Sequence, residues 1–312
     1  MQIDLTIIIP CYNVEKFILN ALNSIINQNQ NFLNYEVLII DDGSKDRSVE
    51  LAKYFIEKNN VKNFKLIEKT NGNWGSVINY AKNNNLINGK YVTILDADDL
   101  FTKNCFENIQ KQLNDENDLV LTNFFRKNSF NNKLKKTKVI YSKTGIIDKK
   151  RSFTAWSIPL CKFFKTSLFV EMENLKENVS YQDQILFHYF VFKKAKNIYF
   201  INKNLGIYFE NRDGSSTSLE WNEDRIKLWC SNMNLLLSLK SKQINAYVML
   251  MINHCKNKAP KNLKYLVKIK TEYIKEFRRA KFTWLNFGLR WFAKLVFTFA
   301  TLKILKNSKK MF

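Results

Sequence analysis

The sequence predicts an α/β fold with a mostly parallel central sheet, followed by a helical carboxyl-terminal region. Two observations support this prediction. In the first half of the chain, short apolar runs rich in β-branched residues alternate with longer segments that carry a polar face, as in strand–helix–strand units. From about residue 219 onward the pattern is helical and lacks a strong strand signal. We therefore expect two parts, residues 1–218 and residues 219–312.

The strands and helices follow from the apolar runs and their spacing. The runs typical of buried strands are Leu5–Ile9, Tyr35–Ile40, Phe64–Glu68, Tyr91–Leu95, Asp118–Asn123, Ile198–Ile201 and Leu205–Phe209. The segments long enough for helices are Val14–Asn29, Asp46–Asn59, Trp74–Leu86 and Ser180–Lys194. The Lys- and Asn-rich stretch Arg126–Lys138 indicates an exposed hairpin or loop.

The composition excludes several classes of protein. Of the 312 residues 46% are hydrophobic, with 25 Phe and 13 Tyr, which excludes intrinsic disorder. The five Cys are scattered without a CxxC pair, so neither a disulfide framework nor a zinc module is expected and a reducing compartment is favoured. The two His lie far apart in sequence, which argues against an imidazole-rich metal site.

Two acidic loops directly follow predicted strands. Residues 41–44 read Asp-Asp-Gly-Ser and residues 96–99 read Asp-Ala-Asp-Asp. The carboxyl ends of parallel strands are where α/β sheets bind ligands, so we expect the two loops to share a site. Either loop alone could be a helix cap. Together their consecutive carboxylates favour a shared divalent cation, Mg²⁺ or Mn²⁺, with substrate phosphates completing the ligand set.

Three motifs in order resemble those of family 2 glycosyltransferases, over roughly residues 3–216. They are residues 7–13 (Ile-Ile-Ile-Pro-Cys-Tyr-Asn), residues 39–46 (Ile-Ile-Asp-Asp-Gly-Ser-Lys-Asp) and residues 95–99 (Leu-Asp-Ala-Asp-Asp). The resemblance implies that residues 1–218 form a GT-A-type nucleotide-sugar-binding catalytic domain. It also implies an inverting enzyme that depends on a metal and uses a UDP-sugar.

The same resemblance assigns roles to individual residues. Pro10 and Tyr12 would line the uracil and ribose pocket, and Asp42 would bind the uridine. Residues 96–98 are similar to the DxD motif, in which Asp98 would contact the metal that bridges the diphosphate. The donor-binding residues that the resemblance implies are Pro10, Tyr12, Asn13, Asp41, Asp42, Asn71, Asn79, Asp96, Ala97, Arg212, Ser215 and Ser216. The family often has Arg-Asn where this chain has Ile-Asn at residues 78–79, which leaves out an Arg contact to the nucleotide.

Two later segments complete the resemblance. Residues 181–184 (Tyr-Gln-Asp-Gln) match the place of the family's Glu-Asp pair, so Asp183 is the predicted catalytic base. A first-turn helix acid is the alternative interpretation of Asp183, and His188 is expected to be a packed histidine. Residues 212–216 resemble the basic loop that closes over the diphosphate, with a solvated turn as the alternative. The Gln-x-x-Arg-Trp motif of processive members is absent, which favours the addition of one or a few sugars.

Charge is concentrated in the second part of the chain. Residues 1–100 carry ten Lys+Arg against twelve Asp+Glu, whereas the whole chain has a net charge of +22. Residues 278–312, which we call the basic tail, contain nine Lys/Arg, no acid and many aromatic residues, among them Trp284 and Trp291. This composition is typical of an interfacial helix on an anionic membrane surface. A helix that packs on the catalytic domain is the alternative.

The sequence therefore predicts a cytoplasmic enzyme that is peripheral on the inner face of the cell membrane. Its expected reaction transfers a hexose from a UDP-sugar to a hydroxyl of a membrane lipid-linked or cell-envelope glycan acceptor. A non-catalytic membrane- or polyanion-binding protein on the same fold and a nucleotidyltransferase are the alternatives. No nucleic-acid partner is expected, because the basic tail comes without a DNA- or RNA-binding motif. The sequence names neither the sugar, the acceptor nor the oligomeric state.

Overall fold

A computed structural model describes residues 2–128, 133–137, 143–149, 158–180 and 182–210, together with residue 232. The strands in this part of the chain are β1 Leu5–Cys11, β2 Tyr35–Asp41, β3 Phe64–Glu68, β4 Tyr91–Ile94, β5 Leu100–Phe101, β6 Leu119–Asn128, β7 Leu134–Thr137, β8 Gly145–Ile147, β9 Lys162–Lys165 and β10 Ile198–Glu210. The α-helices are α1 Ile18–Ile26, α2 Ser48–Asn59, α3 Asn73–Asn83, α4 Cys105–Ile109, α5 Thr166–Val170 and α6 Gln182–Tyr189. A 3₁₀ turn at Gln110–Gln112 follows α4, and a π-helical segment at Phe190–Lys194 follows α6.

Some predictions lie outside the described residues. These are the roles of Arg212, Ser215 and Ser216, the helical region 219–312 apart from residue 232, and the basic tail. In the part of the chain that the structure describes, no helix combines the length and the hydropathy needed to cross a membrane.

The first four long strands form a parallel unit in the order β3-β2-β1-β4. Every residue of β2 is buried, as are all residues of β1 except Pro10. Such continuous apolar strands are typical of a parallel sheet that is covered on both faces. In this register Cys11 pairs with Asp41, so the loops that follow β1 and β2 leave the sheet side by side.

The sheet becomes mixed beyond β4. β9 is antiparallel to both β4 and β6, β10 is parallel to β6, and β5 is antiparallel to β10. The α/β class is confirmed, and the expected parallel arrangement holds for β3-β2-β1-β4. The other half differs because β9 comes from late in the chain and inserts between β4 and β6 in the opposite direction. Its central residues, Phe163 and Phe164, are fully buried.

Several predicted boundaries shift. β6 continues to Asn128 and pairs with β7, so the described part of the predicted hairpin or loop is a hairpin. The two strands predicted around residues 198–209 form the single strand β10, with register shifts on each side of Asn204. α1 begins at Ile18 rather than Val14. The backbone N–H of Val14 instead donates to the Ser48 side chain at 2.8 Å, which holds it in the preceding loop.

Candidate active site

Hydrogen bonds join the loops after β1 and β2. The Asn13 N–H donates to Ser44 Oγ at 3.0 Å, and Asn13 Oδ1 accepts from the Lys45 N–H at 2.8 Å. Pro10 lies three residues before Asn13, within β1, and is in register with Ile40 of β2. Tyr12 is 49% exposed, which leaves its ring available for stacking. Asn13 therefore fixes the two loops together and Tyr12 projects beside them.

Asp41 shapes the turn after β2. Its Oδ2 accepts from the N–H groups of Gly43 and Ser44, both at 3.0 Å. Gly43 has a φ of 79°, a left-handed conformation that glycine adopts without steric cost. Burial, with the Asp41 charge second, raises the pKa of the neighbouring Cys11 thiol to about 12. Asp41 is thus a turn-forming carboxylate within the predicted donor set.

Asp42 is the centre of a buried polar cluster. Its Oδ1 accepts from Lys69 Nζ at 2.6 Å and from the Gly72 N–H at 3.0 Å. Ser76 Oγ lies 3.3 Å from the same oxygen. The Asn71 side chain donates to the Asp42 carbonyl at 2.8 Å. The structure therefore brings together the predicted residues Asp42 and Asn71, and adds Lys69 and Ser76.

The residues after β4 form an acidic cluster that could hold a cation. One carboxylate oxygen from each of Asp96, Asp98 and Asp99 can lie within 4.8 Å of the others. An all-oxygen set of this kind fits Mg²⁺ or Mn²⁺. Trp74 Nε1 donates to Asp96 Oδ1 at 2.9 Å, and the Phe209 N–H donates to Asp99 Oδ1 at 3.1 Å. These hydrogen bonds tie the cluster to α3 and to the end of β10.

Ala97 and Asp99 pack into the protein within this turn. Ala97 is 2% exposed and Asp99 is fully buried, whereas Asp96 and Asp98 are half-buried. The Asp99 N–H donates to the Asp96 carbonyl at 2.8 Å, which closes the turn. The two half-buried carboxylates are therefore those best placed to reach a ligand from solvent.

Asp183 lies in the first turn of α6. Burial raises the pKa of its carboxyl to about 6, while the N–H groups of Gln184 and Asp183 itself and the charge of Lys162 oppose that rise. Burial raises the pKa of the Tyr208 phenol, and so do the charges of Asp99, Asp98, Asp96 and Asp183. The negative charges of Asp183 and of the acidic cluster therefore act together on Tyr208.

Asn79 has a different setting from the other predicted donor residues. Its Nδ2 donates to the Leu175 carbonyl at 2.9 Å, and its Oδ1 accepts from the Leu175 N–H at 2.8 Å. The residue is 3% exposed. In this structure the Asn79 amide thus holds the loop that leads to Asp183, and Asn71 is the amide that contacts the Asp42 loop.

The segment before Asp183 is held by amide groups. Gln182 Oε1 accepts from the Lys176 N–H at 3.0 Å, and Gln182 Nε2 donates to Asn232 Oδ1 at 3.2 Å. Asn232 Nδ2 in turn donates to the Ser180 carbonyl at 2.7 Å. Gln182, which stands where the family has Glu, therefore carries no charge and fixes the start of α6 through hydrogen bonds of its side-chain amide.

His188 is fully buried, and burial followed by the Lys162 charge lowers its pKa to about 3. It is therefore neutral at ordinary pH, as expected for a packed histidine. Sequence reasoning missed Lys69, Trp74, Lys162 and Tyr208. Lys69 and Trp74 lie two and three residues from Asn71, and that proximity was the available signal for those two.

The mixed α/β sheet with acidic loops after β2 and β4 defines a GT-A-type fold. The sequence profile of Glycosyl transferase family 2 matches residues 6–172. The uncharacterized glycosyltransferase MG025 of Mycoplasma genitalium is 34% identical over 307 residues, which cover 97% of this chain and 98% of that protein. The chain belongs to glycosyl transferase family 2 and is a glycosyltransferase.

Other comparisons are more distant. The minor teichoic acid biosynthesis protein GgaB of Bacillus subtilis is 36% identical over 106 residues, or 34% of this chain and 11% of that protein. S. aureus TarS 1-349 in complex with UDP-GlcNAc has a similar fold, with a TM-score of 0.64, 19% identity and coverage of 86% of this chain and 77% of TarS. Mannosyltransferase PcManGT from Pyrobaculum calidifontis, in complex with GDP-Man and Mn²⁺, gives a TM-score of 0.56, 14% identity and coverage of 97% and 81%.

Proposed function

We propose that this protein is an inverting, metal-dependent hexosyltransferase. It transfers a hexose from a UDP-sugar to a hydroxyl of a lipid-linked or cell-envelope glycan acceptor. The observation that carries the proposal is the acidic cluster Asp96, Asp98 and Asp99 after β4, at the same edge of the sheet as the Asp42 loop after β2. A cation bound by this cluster would lie near the diphosphate of a donor whose nucleoside contacts the Asp42 loop, and Asp183 is the proposed base.

The donor nucleotide would bind at the loops after β1 and β2. The half-exposed Tyr12 ring offers a stacking surface for a base. Lys69 and the Gly72 N–H both act on Oδ1 of Asp42, which fixes the orientation of that carboxylate. A fixed carboxylate selects for hydrogen-bond donors, such as a uracil N–H or ribose hydroxyls. The TarS structure with UDP-GlcNAc on a similar fold supports a UDP-sugar as the donor.

Asp98, with Asp96 beside it, would hold Mg²⁺ or Mn²⁺ against the diphosphate. A bound cation would neutralise charge on the departing UDP. The indole N–H of Trp74 holds Asp96 by a hydrogen bond. Asp99 accepts a hydrogen bond from the Phe209 N–H, which attaches the turn to β10. Arg212, Ser215 and Ser216 remain proposed diphosphate contacts, because the sequence places them just after β10. The Mn²⁺ in the PcManGT complex supports a metal role on this fold.

Asp183 would act as the general base. As the acceptor oxygen attacks the anomeric carbon, its proton passes to the Asp183 carboxylate. The new carbon–oxygen bond forms while the bond from that carbon to the diphosphate breaks, and UDP leaves. A carboxyl with a pKa near 6 is ionised at neutral pH and is a stronger base than an ordinary aspartate. Attack opposite the leaving group inverts the configuration.

The acceptor and the location are proposed on two grounds. The similarity of 34% of the chain to GgaB, whose name refers to minor teichoic acid biosynthesis, supports an envelope acceptor. The basic composition of residues 278–312 supports peripheral attachment to an anionic membrane surface on the cytoplasmic side. Both grounds favour an acceptor that is presented at the membrane.

The test is a panel of UDP-glucose, UDP-galactose, UDP-GlcNAc and GDP-mannose, each with isolated membranes and Mn²⁺. We expect one UDP-sugar to release free UDP and to transfer its labelled sugar to membrane material, with loss of both signals in EDTA. Release of pyrophosphate from UTP and a sugar phosphate would support the nucleotidyltransferase alternative. Binding of UDP without turnover of any donor would support a non-catalytic protein.

A further inference from the structure

Lys162 is a buried cation behind the candidate active site. It begins β9, where only 3% of its surface is exposed. Its Nζ donates to the Ile158 carbonyl and lies 4.8 Å from the centroid of the Phe187 ring. Buried lysines are rare in proteins because removing an ammonium group from water is costly. A nearby negative charge would offset part of the cost of burying the Lys162 ammonium group.

The position of Phe187 indicates where that partner lies. Phe187 is four residues after Asp183 on α6, so the two side chains lie on the same face of the helix. Since the Lys162 ammonium lies over the Phe187 ring, it faces the side of α6 that carries Asp183. The Thr93 hydroxyl donates to the Lys162 carbonyl at 2.8 Å and fixes the backbone of β9 on β4. The lysine therefore approaches α6 from a rigid strand.

We propose that Lys162 is a positioning residue whose charge keeps the Asp183 carboxylate ionised for proton abstraction from the acceptor. The inference rests on the proposed role of Asp183 as the base. It assigns Lys162 no contact with substrate, because the residue is buried and its hydrogen bond goes to the Ile158 carbonyl.

The charge balance around Asp183 supports this role. Burial lowers the pKa of Lys162 to about 7, and the Cys161 and Asp183 charges oppose that change. Burial acts in the opposite direction on Asp183, where the Lys162 charge holds the pKa below the value that burial alone would give. Each group thus stabilises the charged form of the other.

Among the residues that the structure describes, Lys162 is the cation whose charge lowers the pKa of Asp183. His188 on α6 is neutral, because its pKa is lowered to about 3. Burial raises the pKa of the Cys161 thiol, next to Lys162, to about 12. Burial and the neighbouring carboxylates likewise raise the pKa of the Tyr208 phenol. Both groups stay protonated and therefore neutral at neutral pH, so neither adds a charge beside Asp183.

The test is the pH dependence of kcat/KM, measured for the full-length protein with the donor and acceptor that the panel identifies. Wild-type activity should fall below pH about 6 as Asp183 becomes protonated. Lys162→Met should move this acid limb upward by about one pH unit or more, the usual effect of losing an opposite charge nearby. For a shift of one unit, activity at pH 6 should then drop about fivefold relative to wild type, with a smaller loss at pH 8.

Three further variants separate charge from packing. Lys162→Arg retains a positive charge and should keep the acid limb close to that of wild type. Thr93→Val removes the hydroxyl that fixes β9 but removes no charge. Its kcat/KM can therefore fall while the pH of its acid limb stays that of wild type. His188→Gln should also leave the limb unchanged. If Lys162→Met does not fold, as judged by its melting temperature, Lys162→Gln replaces it.

The outcomes distinguish this inference from the proposed function. An acid limb that stays at the wild-type pH in both Lys162→Met and Lys162→Gln would overturn the role of Lys162. If both neutral variants fail to fold, Lys162→Arg decides the question. An acid limb displaced by more than one pH unit in folded Lys162→Arg would also overturn the role of Lys162. Wild-type turnover by Asp183→Asn would instead overturn the base assignment, whatever the lysine variants do.

Discussion

The indole Nε1 of Trp74 donates a hydrogen bond to Asp96 Oδ1 across 2.9 Å. This bond connects the start of α3 to the acidic cluster after β4. A tryptophan in contact with a candidate metal ligand reports on that ligand, because its fluorescence responds to a change of charge nearby. The relationship therefore provides a way to follow cation binding that does not depend on turnover.

Asp98→Ala should abolish metal-dependent transfer, because it removes the half-buried carboxylate proposed to bind the cation that contacts the diphosphate. Wild-type protein titrated with Mn²⁺ should show a saturable change in tryptophan fluorescence. Asp98→Ala should lose both the change and the turnover, and Asp98→Glu should retain a trace of activity. Trp74→Phe serves as the optical control, since it should lose most of the signal and keep measurable turnover. Full activity of Asp98→Ala in the presence of EDTA would exclude the proposed metal role.

Asp183→Asn should bind UDP normally and lose sugar transfer. The amide preserves the shape of the side chain but cannot accept the proton of the acceptor hydroxyl, and losing a general base usually costs about two or more orders of magnitude in kcat. Calorimetry with UDP and initial-rate assays measure the two effects separately. Asp115→Asn is the matched control, because the Asp115 side chain is 86% exposed and pairs with Lys90. A collapse of UDP affinity in Asp183→Asn would make Asp183 a donor-site or structural residue.

Local sequence patterns predicted the parallel half of this site because its parts follow directly from single strands. The apolar runs of β1, β2 and β4 mark strand ends; Asp42 comes immediately after β2, and Asp98 comes four residues after β4. Lys162 could not be predicted in this way. The segment Lys162–Lys165 has charged ends around two Phe, a pattern that gives no reason to bury its first lysine. Its burial depends on β9 inserting between β4 and β6, which is a tertiary event.

Asn79 illustrates a second limit. The resemblance put it in the donor set because it follows the family's usual Arg position. In the structure its amide contacts the backbone of Leu175, 96 residues away along the chain. Contacts between residues so distant in sequence leave no periodic trace in either segment. The site beyond residue 210, including Arg212, remains a prediction from the resemblance.

Removal of the residues after Glu276 should leave an enzyme that still releases UDP from its donor but no longer sediments with anionic vesicles. The deleted part contains all nine positive side chains of the basic tail and no acid. Each such charge near an anionic surface contributes roughly 1 kcal/mol. Full-length protein should bind vesicles of anionic lipid more tightly than neutral ones and less tightly in 1 M salt, where the screening length falls to about 3 Å. Equal binding to both lipids, or binding by the truncated protein, would make the basic tail a packing element.

Lys69→Met should weaken UDP binding and lower the melting temperature, because it leaves the Asp42 charge buried without its cation. The side chains of Lys69 and Asp42 are 12% and 4% exposed and lie 2.6 Å apart. Breaking a buried pair from one side costs about 3–5 kcal/mol of unfolding free energy.

Lys53→Met is the matched control: the Lys53–Glu68 pair has a similar distance of 2.8 Å, but its side chains are 55% and 56% exposed. Such an exposed pair contributes about 0–1 kcal/mol. Chemical denaturation and UDP calorimetry on both variants measure the difference. Equal, small effects would mean that the hydrogen bonds from Gly72 and Ser76 are sufficient to hold Asp42 in place for the uridine.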